Sequence, residues 1–290
     1  MKKSVILFVN LFKKSAGPLA ELIKAELEKK GTDVTVFSFE GKSKELPAGK
    51  WDLAISLGGD GTVLYTARCV APLGVPILPI NLGTFGFIAE VKKEEWLTVF
   101  NKWEKGEITS SKRCMLEISV IRDNKKIMTN ICLNDAVISA TGIAKLINLD
   151  VHVKEDIALG SYRCDGLVIA TPTGSTAYSM AAGGPILDPE MEALILNPIC
   201  PFSLSNRPFV LPLRHSLSVT VAGKQRLDVL LTVDGQDIFA LEEFDCINIS
   251  QPPYNAELIF NDSSAYYSAL RNKLFWSKSE IGKPEGDTHA

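Results

Sequence analysis

From Val5 to about Ile80 the chain alternates short apolar runs with stretches where apolar residues recur every three or four positions. That is the pattern of parallel strands joined by crossover helices. Val5–Val9 reads as a buried strand. Pro18 opens a helix whose Leu19, Leu22, Ile23 and Leu27 share one face, with Glu21, Lys24 and Lys29 opposite and Gly31 placed to end it. Val34–Phe37, Leu53–Leu57 and Ile77–Ile80 read as further strands, and a helix is expected from the glycine-rich turn after Leu57 to Val70. Near Lys102–Lys112 the pattern changes. Leu116, Ile118 and Val120 alternate with polar partners, a turn follows at Asp123-Asn124, one strand is expected from Ile127 to Val137, and the alternation resumes at Ile147, Leu149, Val151 and Val153. Similar strands recur at Leu217–Val221, Leu227–Val233, Cys246–Ile249 and Leu258–Phe260. A period of two over so much sequence predicts a β-rich second domain of packed sheets.

Composition narrows this picture without redirecting it. The 290 residues, 46% hydrophobic and 22% charged, suffice for one extended domain or two smaller ones. With 31 Lys+Arg against 34 Asp+Glu the net charge is −3, which argues against a strongly basic nucleic-acid binder. The six cysteines include no Cys-x-x-Cys pair and no histidine at zinc-ligand spacing, so reduced thiols in a cytoplasmic protein are expected, with no metal-ligating residues identified. Met1-Lys2-Lys3 and the apolar run after it imitate a signal peptide, but Asn10 interrupts the run and Lys13-Lys14 follow at once. Val70–Ile80 holds Pro72 and Pro76 and falls short of the roughly 20 residues of a membrane span, so no membrane association is expected.

Three segments carry candidate chemistry. Gly58-Gly59-Asp60-Gly61-Thr62 lies where a strand hands over to a helix, the place where open α/β sheets bind ligands. Its glycines let a phosphate approach backbone N–H groups, while Asp60 is costly beside phosphate unless it meets a cation or takes a proton from an attacking hydroxyl. The combination suggests phosphoryl transfer; a glycine-rich turn with an exposed Asp is the plainer reading. Asp165 to Ser179 reads as a buried strand ending in a hydroxyl-rich loop, where Thr176 and backbone N–H groups can bond a polar ligand and Tyr178 can stack on a base, or where Ser175 or Thr176 simply caps a helix. Asn134-Asp135, between apolar neighbours, can read a sugar or base, or form an ordinary turn. His152, His215 and His289 stand in no triad-like arrangement.

Together with Asn81–Phe87 and Pro198–Pro208, these segments resemble the NAD kinases, in order from about Val5 to about Phe260. Gly-Gly-Asp-Gly is shared with diacylglycerol, sphingosine and 6-phosphofructokinases; the Asn-Asp pair and the block from Asp165 to Pro185 are not. The resemblance implies a Rossmann-like α/β domain over residues 1–105, completed by residues 262–277. It also implies a β-sandwich that binds NAD over residues 106–261, and composition adds a disordered tail at residues 278–290. It implies transfer of the terminal phosphoryl group of ATP, or of polyphosphate, to the adenosine-ribose 2′-hydroxyl of NAD, with Mg²⁺ accompanying the donor. Asp60 would be the base, Gly61 would sit against the dinucleotide, and Gly58, Gly59, Gly61 and Thr62 would form the donor loop. Asn134 and Asp135 would hold the adenosine, and Thr176, Ala177, Tyr178, Ser179, Met180 and Ala181 would line the pocket. Arg163 and Asp165 would approach the dinucleotide, in part from a neighbouring subunit of a homo-dimer or homo-tetramer, and Gln236 would add a contact. Two positions depart from the family pattern: Tyr65 stands where many members carry Arg or Lys, with Arg68 one turn on, and Phe202 stands where relatives often have His. A lipid-alcohol kinase and a non-catalytic NAD(P) sensor are the alternative readings.

Overall fold

The computed structural model of the protein describes residues 2–40, 45–83, 86–108, 110–142, 145–154, 157–203, 205–225, 228–260 and 265–274. The expected tail at residues 278–290 lies outside them, as do Thr84, Phe85, Leu204, Leu227 and the two ends of the segment 262–277. The chain runs β1 (Ser4–Asn10), α1 (Ala16–Lys29), β2 (Asp33–Phe39), β3 (Leu53–Gly58), α2 (Asp60–Val70), β4 (Ile77–Asn81), β5 (Val91–Lys92), α3 (Trp96–Glu104) and β6 (Ser110–Arg113). It continues with β7 (Leu116–Arg122), β8 (Lys125–Cys132), β9 (Asp135–Ala140), β10 (Ile147–Val153), β11 (Ile157–Cys164), β12 (Gly166–Ala170), α4 (Tyr178–Ala181) and β13 (Ala193–Ile199). The last elements are β14 (Phe209–Pro212), β15 (Leu217–Val221), β16 (Val229–Val233), β17 (Asp237–Leu241), β18 (Cys246–Ser250), β19 (Ala256–Ile259) and α5 (Ala265–Leu274).

The first sheet has the order β2-β1-β3-β4-β19-β6, with β5 also on β4. All its pairs are parallel except β19 with β6. Alternate residues of β1 and β3 face opposite ways. Val5, Leu7, Leu53 and Ile55 pack under α1 and α3, whereas Ile6, Phe8 and Ala54 pack under α2. The chain therefore leaves β1 towards β2 across one face and leaves β3 towards β4 across the other. That reversal opens a crevice beyond the carboxyl ends of β1 and β3, at Asn10 and Gly58.

Two antiparallel sheets, β11-β10-β15-β18-β7-β8 and β14-β13-β12-β9-β16-β17, share one core that includes Ile118, Ile138, Leu149, Ile169, Leu196, Val219 and Leu231. This is the expected pairing of an α/β sheet with a β-sandwich. Met115 and Leu133 belong to the core on the α2 side of the first sheet, so the sandwich rests on α2.

Two expectations from the pattern need correction. The single strand expected from Ile127 to Val137 is two strands, β8 and β9, which belong to different sheets. The chain changes sheet at Leu133-Asn134, where the buried Asp234 carboxylate accepts the backbone N–H groups of Leu133, Asn134 and Asp135 that a continuous ladder would have bonded. The strand near Leu258 lies parallel to β4 in the first sheet, not in the sandwich, with β6 antiparallel beside it. Thus the first sheet takes in strands beyond residue 105 and before residue 262. Alternation shows that a strand is half-buried but not which sheet receives it. Asp123 and Asn124, with φ of 49° and 59°, form the expected two-residue turn between β7 and β8.

Candidate active site

Asp60 is the first residue of α2, directly beyond the end of β3. Its carboxylate is held by backbone between β4 and β5: Oδ2 accepts the N–H of Phe87 at 2.9 Å, and Oδ1 accepts those of Ile88 and Ala89 at 3.2 and 2.9 Å. Gly86 makes this close approach possible, because a Cβ there would stand 1.8 Å from Asp60 Oδ1. A carboxylate offers about four acceptor positions. Three are filled, and the fourth is on Oδ2.

The residues expected to form a donor loop gather at the same crevice. Gly58 closes β3 and its carbonyl accepts the Leu82 N–H at 2.8 Å. Gly59, Gly61 and Thr62 line a cleft of about 670 Å³ with Asn10, Lys13, Phe39, Tyr65, Arg68, Gly235, Gln236 and Asp237. Asn10 Nδ2 donates to Thr62 Oγ1 at 3.1 Å, which ties the end of β1 to the glycine turn.

The far wall belongs to the sandwich. Gln236, in the turn between β16 and β17, donates from Nε2 to the Gly61 carbonyl at 2.7 Å and accepts Arg68 Nη2 at 2.8 Å. Arg68 Nη1 bonds the Asp237 carboxylate, and Nε lies 3.9 Å from Asp234 Oδ2. Asp234 therefore sits between Arg68 and the Leu133–Asp135 backbone, and fixes Asn134 and Asp135 beside α2. Asn134 Oδ1 is buried with no hydrogen-bond partner among the described residues, which leaves a buried acceptor for a ligand. Burial, with the Asp234 charge beside it, pushes the Asp135 carboxyl up to about 7. Burial also pushes Asp234 up to about 6, against the opposing pull of its N–H bonds and Arg68.

Behind Asn134 lies the hydroxyl-rich loop. The Asn134 carbonyl accepts the Thr171 N–H at 2.8 Å, and a Cβ on Gly174 would lie 2.2 Å from that carbonyl oxygen. Thr173 Oγ1 is another buried atom without a partner among the described residues. Thr176 Oγ1 bonds the Thr173 carbonyl at 3.3 Å, Tyr178 is half exposed, and Ala177, Met180 and Ala181 keep some or much exposure. Ser179 faces inward instead: it is fully buried, and Asn197 Nδ2 bonds its carbonyl at 2.9 Å.

Arg163 and Asp165 are not part of this cleft. Arg163 is on β11, the outer strand of its sheet, with its guanidinium 4.8 Å from the Phe202 ring centre. Asp165 precedes β12 at the end where Gly166 pairs with Ser139, whereas Asp135 pairs with Ala170 at the other end. Four residues of strand, roughly 13 Å, separate those ends. Sequence reasoning did not single out Asn10, Lys13, Gly86 or Asp234. The signal available was positional: Asn10 ends the first parallel strand, at the switch point, and Gly86 stands in a glycine-rich segment after the fourth.

A family model described as the ATP-NAD kinase N-terminal domain matches residues 40–108, and one described as the ATP-NAD kinase C-terminal domain matches residues 133–260. The curated NAD kinase of Treponema denticola is 45% identical over 97% of this chain and 99% of its own length. That of Treponema pallidum is 39% identical over 95% of this chain and 90% of its own. The fold is similar to that of yeast NADH kinase complexed with NADH, with TM-score 0.79 and 21% identity over 97% of this chain and 90% of that one. It is also similar to an NAD kinase from Archaeoglobus fulgidus in complex with ATP, with TM-score 0.70 and 23% identity over 95% of this chain and all of that one.

The carboxylate pair has a measurable signature. Both folded values, about 7 for Asp135 and about 6 for Asp234, lie above the unfolded value near 3.9, so the native state keeps protons that the unfolded chain releases. Their contribution is fully present below about pH 4 and is lost as pH rises through about 6 to 7. Asp135→Asn removes much of that dependence. Urea unfolding should show its stability relative to the parent protein rising by about 2 kcal/mol between pH 5 and pH 8; a difference independent of pH contradicts the assignment.

Proposed function

The chain belongs to the NAD kinase family, and on that premise we propose that the cleft carries out its phosphoryl transfer with Asp60 as the base. The activity is that of a phosphotransferase acting on NAD and ATP. In this reading the adenosine-ribose 2′-hydroxyl of NAD occupies the acceptor position left on Asp60 Oδ2. Its proton passes to that oxygen as the 2′-oxygen attacks the terminal phosphorus of ATP. The bond from that phosphorus to the β–γ bridging oxygen breaks, and ADP leaves with the electron pair. The observation that carries this reading is the anchoring of Asp60 by three backbone N–H groups, which aims its remaining lone pair without side-chain rotation.

The adenosine is assigned to the sandwich wall. Asn134 Oδ1 and Thr173 Oγ1, both buried without partners among the described residues, can take up donors or acceptors of the nucleoside, and Tyr178 offers a half-exposed ring. Mg²⁺ belongs with the donor. Among the described residues no group of three or more His, Cys, Asp or Glu could hold a metal ion, and most of Asp60's acceptor capacity is spent. The described residues do not form a cage for the ion, which would instead accompany the phosphates of ATP. Arg163 and Asp165 reach a dinucleotide most directly from a second copy of the chain, which is our reason for proposing a homo-oligomer. A cytoplasmic location is part of the same reading.

NADP formation from NAD, ATP and Mg²⁺ tests the base. Asp60→Asn should lower kcat by about 10²- to 10⁴-fold while the protein still melts cooperatively; turnover at the parent rate contradicts the assignment. Gly86→Ala leaves the carboxylate in place chemically but displaces it, and should cost on the order of a hundredfold in kcat. Unchanged kcat in that variant would show that the cradle does not set the geometry.

A further inference from the structure

A donor carrying several phosphate charges must be held by a protein whose net charge is −3, so the cations that line the cleft decide where its phosphates lie. Two cationic side chains line it, Arg68 and Lys13. Arg68 is already committed: Nη1 bonds Asp237, Nη2 bonds Gln236, Nε faces Asp234, and the side chain is 8% exposed. Freeing it for a phosphate would leave Asp234 buried beside Asp135 without its cation. Tyr65 has its ring in the apolar layer against Phe39, at 4.6 Å between centroids, with Phe8 and Phe37 behind.

Lys13 differs on every count. It is exposed, and its side chain makes no ion pair among the described residues. The backbone beneath it is fixed, since its N–H bonds the Asn10 carbonyl at 3.0 Å and its carbonyl accepts the Ala16 N–H at 2.8 Å. Asn10 has its own amide spent on both sides, donating to Thr62 Oγ1 and accepting the Phe12 N–H at 3.1 Å. The turn that carries Lys13 is thereby fastened to the glycine turn. Its Nζ hangs beside the loop after β4, 3.9 Å from the position a Cβ would take on Gly83.

We infer that Lys13 binds the phosphate chain of the donor, acting as a point charge across the cleft from the backbone N–H groups at the N-terminus of α2. Arg68 instead holds the two walls together. The inference rests on the kinase reading above and adds the residue that recognises the donor. A point charge reads phosphate and not base, so the same contact serves a nucleoside triphosphate and an inorganic polyphosphate.

The test compares Lys13→Ala, Lys13→Arg and Lys14→Ala, the last removing the same charge from the adjacent exposed lysine. With saturating NAD, Lys13→Ala should raise KM for ATP by about tenfold or more and leave KM for NAD within about twofold, because a charged hydrogen bond is lost at the donor alone. Lys13→Arg should recover most of the loss and Lys14→Ala should match the parent protein. A KM for ATP unchanged in Lys13→Ala, or raised equally by Lys14→Ala, overturns the inference. Calorimetric binding of inorganic tripolyphosphate to the same proteins reads the contact without turnover. Weaker binding in Lys13→Ala supports the inference and equal binding overturns it, even if the parent protein forms no NADP, a result that would instead overturn the kinase reading.

Discussion

The site depends on how a carboxylate at the start of a helix is held by backbone that cannot rotate. Asp60 stands at the N-terminus of α2, where negative charge is favoured by the helix dipole, and three consecutive N–H groups from residues 87–89 close on it. Much else follows from that contact. The loop after β4 must return over the glycine turn, Gly86 must have no side chain, and β5 must lie against β4 at Ile80 and Asn81 to bring the loop back. The carboxylate is thereby held in one orientation next to the cleft-lining Gly59 and Gly61, and preorganisation of this kind costs nothing at the moment of a reaction.

The opposite wall uses the same arrangement with the roles exchanged. At Asp60 three amides hold one carboxylate; at Asp234 one buried carboxylate holds three amides and so sets Asn134 in place. Arg68 and Gln236 then join that wall to α2 through Asp237 and the Gly61 carbonyl, which fixes the distance between the walls. Helix α5 leans on both sides of the arrangement. Tyr266 donates to the Leu187 carbonyl, which also accepts from Ser175 of the hydroxyl-rich loop, while Lys273 lies over the ring of Phe87.

How far the sequence carried the account varies with the kind of interaction involved. The strands and helices of the first sheet are legible because each buries one regular face, and Gly31, with φ of +82°, ends α1 where a helix would otherwise run on. Sheet membership was not legible at β9 or β19, since period-two alternation carries no information about partners. Within the site, motifs with unusual residue types stood out: a carboxylate among glycines, an amide beside a carboxylate, a run of hydroxyls. Lys13, Asn10 and Asp234 did not, because each acquires its meaning from an element distant in the chain. Ser179 shows the converse. It sits inside a legible motif, yet the fold turns it toward Asn197.

The most direct test is a crystal structure of the protein with NAD and a non-hydrolysable ATP analogue bound together, in which the distance from Asp60 Oδ2 to the ribose 2′-oxygen is measured. The account predicts direct hydrogen-bond contact, about 2.6–3.2 Å, with the Phe87, Ile88 and Ala89 N–H bonds still in place. A 2′-oxygen that Asp60 cannot reach even through one bridging water would contradict it.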